Sequence, residues 1–251
     1  MEIFYIDNLS LLPKLEQNTC IIGTFDGVHI GHQELITKAK DFGLKTLLIT
    51  FENRMKTNYY LTTTNQKYRL IKEYGADYLI VLPFELIKNV LYTEFILLLK
   101  KLNVCNIICG ADFKFGYKRE GSIIELKTYF NIYVADYTLF NGTRISSSII
   151  KEFITTGKLN KTKLFLGRNY SLIGKIRTLE FVDELTIIDF DYSLYLLPPN
   201  GIYSTQIIYC EVTYDCKAEI VNVHDEKKIF ITVSKFMHDA FNDNIELIFL
   251  N

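Results

Sequence analysis

Apolar and polar positions fall into two textures along this chain. Up to about Gly157, short apolar runs alternate with longer amphipathic segments. The runs predict strands over 20–24, 46–51, 78–82, 106–110 and 132–135, and helical periodicity between them predicts helices over 32–42, 65–74, 93–102 and 146–156. Strands alternating with helices make βαβ units, hence a parallel sheet covered on both faces, with ligands at the carboxyl ends of its strands. Beyond about Gly167 only strands are legible, over 174–176, 186–190, 203–214, 218–223, 229–233 and 245–250, separated by turn signals such as Pro198-Pro199-Asn200-Gly201. The chain reads as an α/β domain over 1–157, then a smaller all-β domain over 158–251, a small barrel, with the boundary between 157 and 170.

The most informative loop follows the first of these strands: Gly23-Thr24-Phe25-Asp26-Gly27-Val28-His29-Ile30-Gly31-His32. A buried strand, a glycine-rich turn and two histidines at helical spacing are what a nucleotide phosphate site needs. The glycines let the backbone approach phosphate oxygens, and a helix beginning near Gly31 aims its free N–H groups and positive dipole end at them. His29 and His32, three apart, face one ligand from the first helical turn. A glycine-rich turn with nearby histidines is often only a solvated loop. Here the chain has four histidines in all, and two of them fall in these four residues beside three glycines and an aspartate. The pattern predicts an enzyme acting on a nucleoside triphosphate.

Composition narrows the setting. With 251 residues and 49% hydrophobic content there is ample material for a core, and charges interrupt every apolar run short of a membrane span. The start lacks the basic and small-residue features of a signal peptide, so a cytoplasmic location is expected. Five cysteines without regular spacing suggest neither a disulfide framework nor a zinc site, and Cys105 and Cys109 read as buried small hydrophobes. A net charge of -1 gives no reason to expect nucleic acid, although the basic stretch from Lys114 to Arg119 suits an anionic small molecule. The sequence does not give the oligomeric state.

Three further stretches carry a resemblance. Gly110-Ala111-Asp112-Phe113-Lys114-Phe115-Gly116 follows a predicted strand, Arg144-Ile145-Ser146-Ser147-Ser148-Ile149-Ile150-Lys151 opens the last helix of the first domain, and Leu166 to Gly174 crosses into the second. With Gly23 to His32, these resemble the bacterial FAD synthetases, the bifunctional riboflavin kinase/FMN adenylyltransferases. The resemblance covers nearly all of the first domain and implies a Rossmann-like nucleotidyltransferase fold. The His-x-Gly-His element is shared by several nucleotidyltransferase families. The loop from Asp112 to Gly116 is what points to a flavin.

The implied reaction is attack of the FMN phosphate on the α-phosphorus of ATP, with Mg²⁺ present, giving FAD and pyrophosphate. By resemblance His29, His32 and Lys151 are the catalytic groups; Gly23, Thr24, Phe25, Asp26, Gly31, Ser147 and Ser148 bind nucleotide; Asp112, Phe113 and Phe115 bind flavin; no side chain is assigned to a metal. Two readings of Asp26 stand side by side, a nucleotide contact or a residue that only fixes the turn. Serines at a helix start ordinarily cap free N–H groups, and a Phe-x-Phe pair beside a strand is more often core than ligand surface. The chain departs from the family at Ser148, where a threonine is usual, and at Lys151, where lysine keeps the charge of the family's arginine without its planar fork. After the second predicted strand, Thr50-Phe51-Glu52-Asn53-Arg54-Met55 lacks both family prolines, which loosens that loop.

In the second domain the resemblance fades. Leu197-Pro198-Pro199-Asn200-Gly201-Ile202-Tyr203 is similar to a family turn, but 174–185 holds nothing like the Gly-Arg-x-Leu-Gly-Phe-Pro-Thr-Ala-Asn segment of the family's kinases. Glu211 and Glu219 read as solvent-facing strand residues rather than a catalytic carboxylate. The expectation is an FMN adenylyltransferase followed by a degenerate riboflavin-kinase-like domain. The alternatives are a bifunctional enzyme with a divergent kinase site and a non-catalytic flavin- or nucleotide-binding protein.

Overall fold

In chain order the first half gives β1 (Glu2–Tyr5), β2 (Asn18–Ile22), α1 (Ile30–Lys40), β3 (Lys45–Glu52), α2 (Thr64–Glu73), β4 (Tyr78–Pro83), the single turn α3 (Phe84–Ile87), α4 (Tyr92–Lys101) and β5 (Val104–Gly110). The short pair β6 (Lys114–Phe115) and β7 (Gly121–Ser122), α5 (Ile123–Lys127), β8 (Asn131–Ala135) and the short pair β9 (Leu139–Phe140) and β10 (Thr143–Arg144) complete it. This computed structural model describes residues 1–52, 59–182, 185–190, 195–223, 226–234 and 243–250. Asn53, Arg54 and Met55, where the family prolines are missing, lie outside the described residues.

Six strands form one parallel sheet in the order β1-β4-β3-β2-β5-β8. The strands read as unbroken apolar runs because both faces are covered. Cys20 and Ile22 of β2 join Leu47, Ile49, Ile80 and Ile107 in a core under α4, while Ile21 joins Leu48, Leu79 and Ile108 in a second core under α1 and Ile71 of α2. Cys109 is buried as expected, but Cys105 is only half-buried. From β2 the chain runs through β3 to β4 on one side, then crosses to β5 on the other. The order therefore reverses between β2 and β5, and a crevice outside the carboxyl ends of these two strands is the preferred ligand position in such sheets.

Contacts divide the chain into one unit of Met1–Thr57 with Tyr68–Arg144 and another of Asn58–Lys67 with Ile145–Asn251. This division falls earlier than the 157–170 boundary read from composition. The reason is local: α6 (Ser147–Thr155) packs on α7 (Leu159–Leu166), with the Phe153 and Phe165 rings edge to face at 5.1 Å.

The second unit continues with β11 (Ser171–Val182), β12 (Leu185–Phe190), β13 (Gly201–Tyr209), β14 (Val212–Val223), β15 (Glu226–Ser234) and β16 (Asn244–Phe249), closed as an antiparallel barrel in the order β11-β12-β15-β14-β13-β16. Alternation fills its interior with Leu172, Ile176, Ile188, Phe190, Ile207, Ala218, Ile220, Ile229, Ile231, Leu247 and Phe249. Two sequence expectations are corrected. The run 203–214 is a hairpin rather than one strand, because Cys210 and Glu211 both take positive φ (47° and 66°) in a two-residue turn. Glu211 is thus an exposed turn residue, while Glu219 is an exposed strand residue as expected.

Candidate active site at the carboxyl end of the parallel sheet

The Gly23–His32 loop is suspended from the adjacent strand. Gly23 N–H donates to the Ile49 carbonyl at 3.1 Å, and the buried Thr50 hydroxyl donates to the Thr24 carbonyl at 3.2 Å. Beyond Thr24 the backbone is strained: φ is 51° at Phe25, 83° at Gly27 and 39° at Val28. Glycine tolerates this, but each non-glycine residue there costs about 1–3 kcal/mol, and a β-branched residue is a clear outlier. Burial holds both in place, since Phe25 is 1% exposed and Val28 fully buried. Gln33 tightens the turn by donating its Nε2 to the Val28 carbonyl at 2.8 Å.

This turn delivers the two histidines. His29 is the N-cap of α1, its carbonyl accepting from the N–H groups of His32 at 2.8 Å and Gln33 at 3.0 Å. The His29 and His32 rings stack at 3.7 Å with planes 16° apart, and the His32 ring leans on Phe25 at 5.1 Å. Gly31 makes room for the pair, because a Cβ there would lie 3.4 Å from the His29 ring. Both imidazoles therefore sit as one block at the start of α1, beside the N–H groups of its first turn, an arrangement suited to anionic oxygens. Asp26 is half-buried and Thr24 exposed.

Asp112 follows β5, the strand next to β2, so its loop and the histidine loop rise from the same edge of the sheet on either side of the switch point. Asp112 is exposed and pairs with Arg144 at 3.6 Å, while the Arg144 guanidinium lies 3.6 Å over the Tyr137 ring. Phe113 is half-buried and stacks on Phe115 at 5.8 Å with planes 18° apart. Phe115 is 6% exposed and packs on Phe95 at 5.4 Å, in the core below α4. Of the two phenylalanines only Phe113 retains open surface. Gly116 has φ 77° and a Cβ there would meet the Tyr92 backbone at 2.7 Å, so glycine is required. Around Phe115 and Gly116, the basic stretch Lys114, Lys118 and Arg119 is exposed.

In the second unit Ser146 caps α6, its hydroxyl accepting from Ile149 N–H at 3.4 Å. Ser147 and Ser148 are the first two helical residues and Lys151 lies one turn on, half-buried. Reading the sequence alone missed Gln33, Thr50 and the outward reach of Arg144. The only signals were the positions of Gln33 beside His32 and of Arg144 at the head of the serine run. Among the described residues no cluster of three His, Cys, Asp or Glu side chains is placed to hold a metal, and no helix is long and apolar enough to cross a membrane.

The FAD synthetase family matches residues 12–149, more than half of the chain. The chain belongs to that family. This FAD synthetase has curated relatives named bifunctional riboflavin kinase/FMN adenylyltransferase. The one from Buchnera aphidicola subsp. Acyrthosiphon pisum is 28% identical, covering 94% of this chain and 85% of that protein. The one from Listeria monocytogenes is 30% identical over 74% of this chain and 66% of that protein, and that of Escherichia coli K12 is 29% identical over 81% and 72%. Among solved structures, a macrolide-efflux protein from Streptococcus pneumoniae matches with a TM-score of 0.87 at 20% identity, covering 100% of this chain and 90% of that one, a likeness of fold alone.

Proposed function

We propose that this FAD synthetase joins the AMP moiety of ATP to the phosphate of FMN, giving FAD and pyrophosphate in the cytoplasm. The observation that carries the reading is the stacked His29–His32 block beside the Asp112 loop at the β2/β5 switch point, in a chain of this family. An FMN phosphate oxygen attacks the α-phosphorus, and the bond from that phosphorus to the oxygen bridging to the β-phosphate breaks. Negative charge grows on the leaving pyrophosphate. Donors fixed beforehand and aimed at that charge are what such a site supplies, since no covalent enzyme intermediate is needed. His29 and His32 donate to the phosphates, and the backbone of Gly23, Thr24 and Phe25, with Asp26 and Gly31 shaping the turn, cradles them. Ser147, Ser148 and Lys151 are assigned to the phosphates by the resemblance. Asp112 and the open face of Phe113 receive the flavin, with Phe115 as the floor that orients Phe113. Mg²⁺ bound with the triphosphate would neutralise charge on the phosphates.

Riboflavin phosphorylation is not part of the proposal, although the relatives' names include it and the Buchnera match spans nearly the whole chain. The Gly-Arg-x-Leu-Gly-Phe-Pro-Thr-Ala-Asn segment of the family's kinases has no counterpart in the sequence of 174–185, and within that stretch Thr178 to Val182 pair in register with β12. The test is a chromatographic assay of the purified protein with ATP and Mg²⁺, run in parallel on riboflavin and on FMN. FAD from FMN with nothing from riboflavin is expected. FMN formed from riboflavin overturns the kinase assignment, and no product from either substrate favours a binding protein without catalysis.

A further inference from the structure

The chain from the end of β8 to β10 touches both loops at the β2/β5 switch point, and all of these residues belong to the same compact unit. At one point Thr138 donates its hydroxyl to Glu34 of α1. A Cβ on Gly31 would lie 3.3 Å from that hydroxyl and 3.4 Å from the His29 ring, so Thr138 sits against the start of α1 close to the histidine block. The hairpin of β9 and β10 then folds back, with Arg144 opposite Leu139, and returns the Arg144 guanidinium to 3.6 Å over the Tyr137 ring. The same guanidinium stands 3.6 Å from a carboxylate oxygen of Asp112. Tyr137 and Arg144 thus join the Asp112 loop to the histidine block.

The chemistry of this junction suits an anionic substrate group. The side chains of Arg144 and Asp112 are 48% and 62% exposed, so the pair opens to solvent. At 3.6 Å the carboxylate is beyond hydrogen-bond distance, and a guanidinium has five N–H donors in a planar fork that matches a phosphate. A ring face supports a cation without taking up its in-plane donors. FMN carries its phosphate at the end of the chain attached to the flavin ring, and that phosphate attacks the α-phosphorus beside the histidines. It has to reach from the Asp112 loop toward the histidine block, the span that Arg144 and Tyr137 bridge.

We propose that Arg144 binds the phosphate of FMN and so selects the phosphorylated flavin over riboflavin, supported by Tyr137 and by the Thr138–Glu34 contact. Arg144 is a binding residue and Tyr137 a positioning residue that acts through it. The inference rests on the adenylyltransferase reading.

The test follows binding of FMN and of riboflavin to the full chain by flavin fluorescence without ATP, and KM for FMN and for ATP in FAD formation. Arg144→Ala is expected to raise Kd and KM for FMN about ten- to thirtyfold, the scale of one lost hydrogen bond to a charged group. Its Kd for riboflavin and its KM for ATP are expected to stay at the wild-type values. Arg144→Lys, which keeps the charge without the fork, is expected to fall between the two, and it remains informative if Arg144→Ala fails to fold. Tyr137→Leu is expected to raise Kd for FMN about two- to fivefold, and to add nothing once Arg144 is alanine, because the ring acts through the guanidinium. Lys100→Ala removes another exposed cation stacked on a ring, 3.8 Å over Tyr129 and outside both loops, and is expected to change none of these constants. An Arg144→Ala protein with wild-type affinity for FMN overturns the inference. So does one that loses riboflavin affinity as far as FMN affinity, or one whose KM rises for ATP instead of FMN. A wild-type chain that makes no FAD refutes the adenylyltransferase reading and this inference with it, whereas an active wild type with an indifferent Arg144→Ala variant refutes this inference alone.

Discussion

Gly31→Ala separates the demands of the fold from those of the site. Gly31 is the second residue of α1, and it is not among the glycines with positive φ. Helix propensity therefore favours alanine, by up to about 1 kcal/mol in a helix interior and less in a first turn. Against it stands the space. A Cβ would lie 3.3 Å from the Thr138 hydroxyl, tighter than ordinary contact, and 3.4 Å from both Cε1 and Nδ1 of His29, at the near edge of ordinary contact. Thr138 has little freedom to yield, because its hydroxyl is engaged with Glu34. The start of α1 must give instead, and since the Cβ already touches the His29 ring, which stacks on His32 at 3.7 Å, the shift passes to both imidazoles.

A misplacement of 1 Å in a catalytic constellation costs about a hundredfold, so a third of that costs roughly four- to tenfold. The expected outcome is a kcat reduced by that factor with Tm unchanged or slightly raised, read by chromatographic quantitation of FAD and by thermal denaturation. A folded Gly31→Ala protein with wild-type kcat would refute the argument that this glycine is there for the histidines. A loss of activity accompanied by a Tm lower by several degrees would refute it differently, placing the defect in folding.

The two phenylalanines of the Asp112 loop should part company on truncation. Phe115→Ala, emptying a core position, is expected to cost about 3–5 kcal/mol of stability in denaturant titration, while Phe113→Ala raises KM for FMN about tenfold with a smaller stability loss, as for other stacked rings. Lys151→Ala should raise KM for ATP about tenfold and Lys151→Arg should not, since the fork of arginine supplies the charge with a second hydrogen bond; an unchanged KM in the alanine variant contradicts the role. The thiols give a pH prediction. Burial pushes Cys109 up to about 11 and Cys20 further still from the ordinary 9.0, whereas Cys210 is exposed. Alkylation at pH 8 read by mass spectrometry should therefore label Cys210 first and Cys20 only on unfolding. Above pH 9 the unfolded thiols release protons that the folded ones keep, so stability should fall as pH rises from 8 to 10.

Most of the parallel sheet was legible because burial on both faces writes itself as unbroken apolar runs, as in Cys20-Ile21-Ile22 and Leu47-Leu48-Ile49. The histidine loop stands out in the sequence because three glycines and two histidines fall within ten residues, and the structure shows the two rings stacked at the start of α1. Edge strand β1 escaped notice, having one partner and a mostly exposed pattern. So did the strain at Phe25 and Val28, since sequence identifies glycine as the carrier of positive φ and gives no sign when burial forces it on a phenylalanine or a valine. The Cys210-Glu211 turn was hidden for the same reason, lacking the asparagine or glycine that marks such hairpins. Arg144 was quoted only as the head of a serine run; its place over Tyr137 and beside Asp112 depends on β9 and β10, two-residue strands that no periodicity reveals.

The barrel makes the opposite case. Its closure follows from alternation alone, with Ala218 and Ile220 facing inward and Lys217 and Glu219 outward along one strand. Alternation specifies an interior and says nothing about chemistry, so a barrel with a phosphate loop and one without it show the same pattern. What sets this barrel apart is polar and buried: Gln66, Ser171 and Tyr195 are 2%, 7% and 2% exposed and joined in one relay. Three residues so far apart in sequence carry no local signature, because a hydrogen-bond network is specified by the fold that assembles it. An apolar substitute at each would fill the space as well. Retaining polar groups where hydrophobic ones would pack serves registry better than stability, and the register held here is that of Gln66 against β11 and β16.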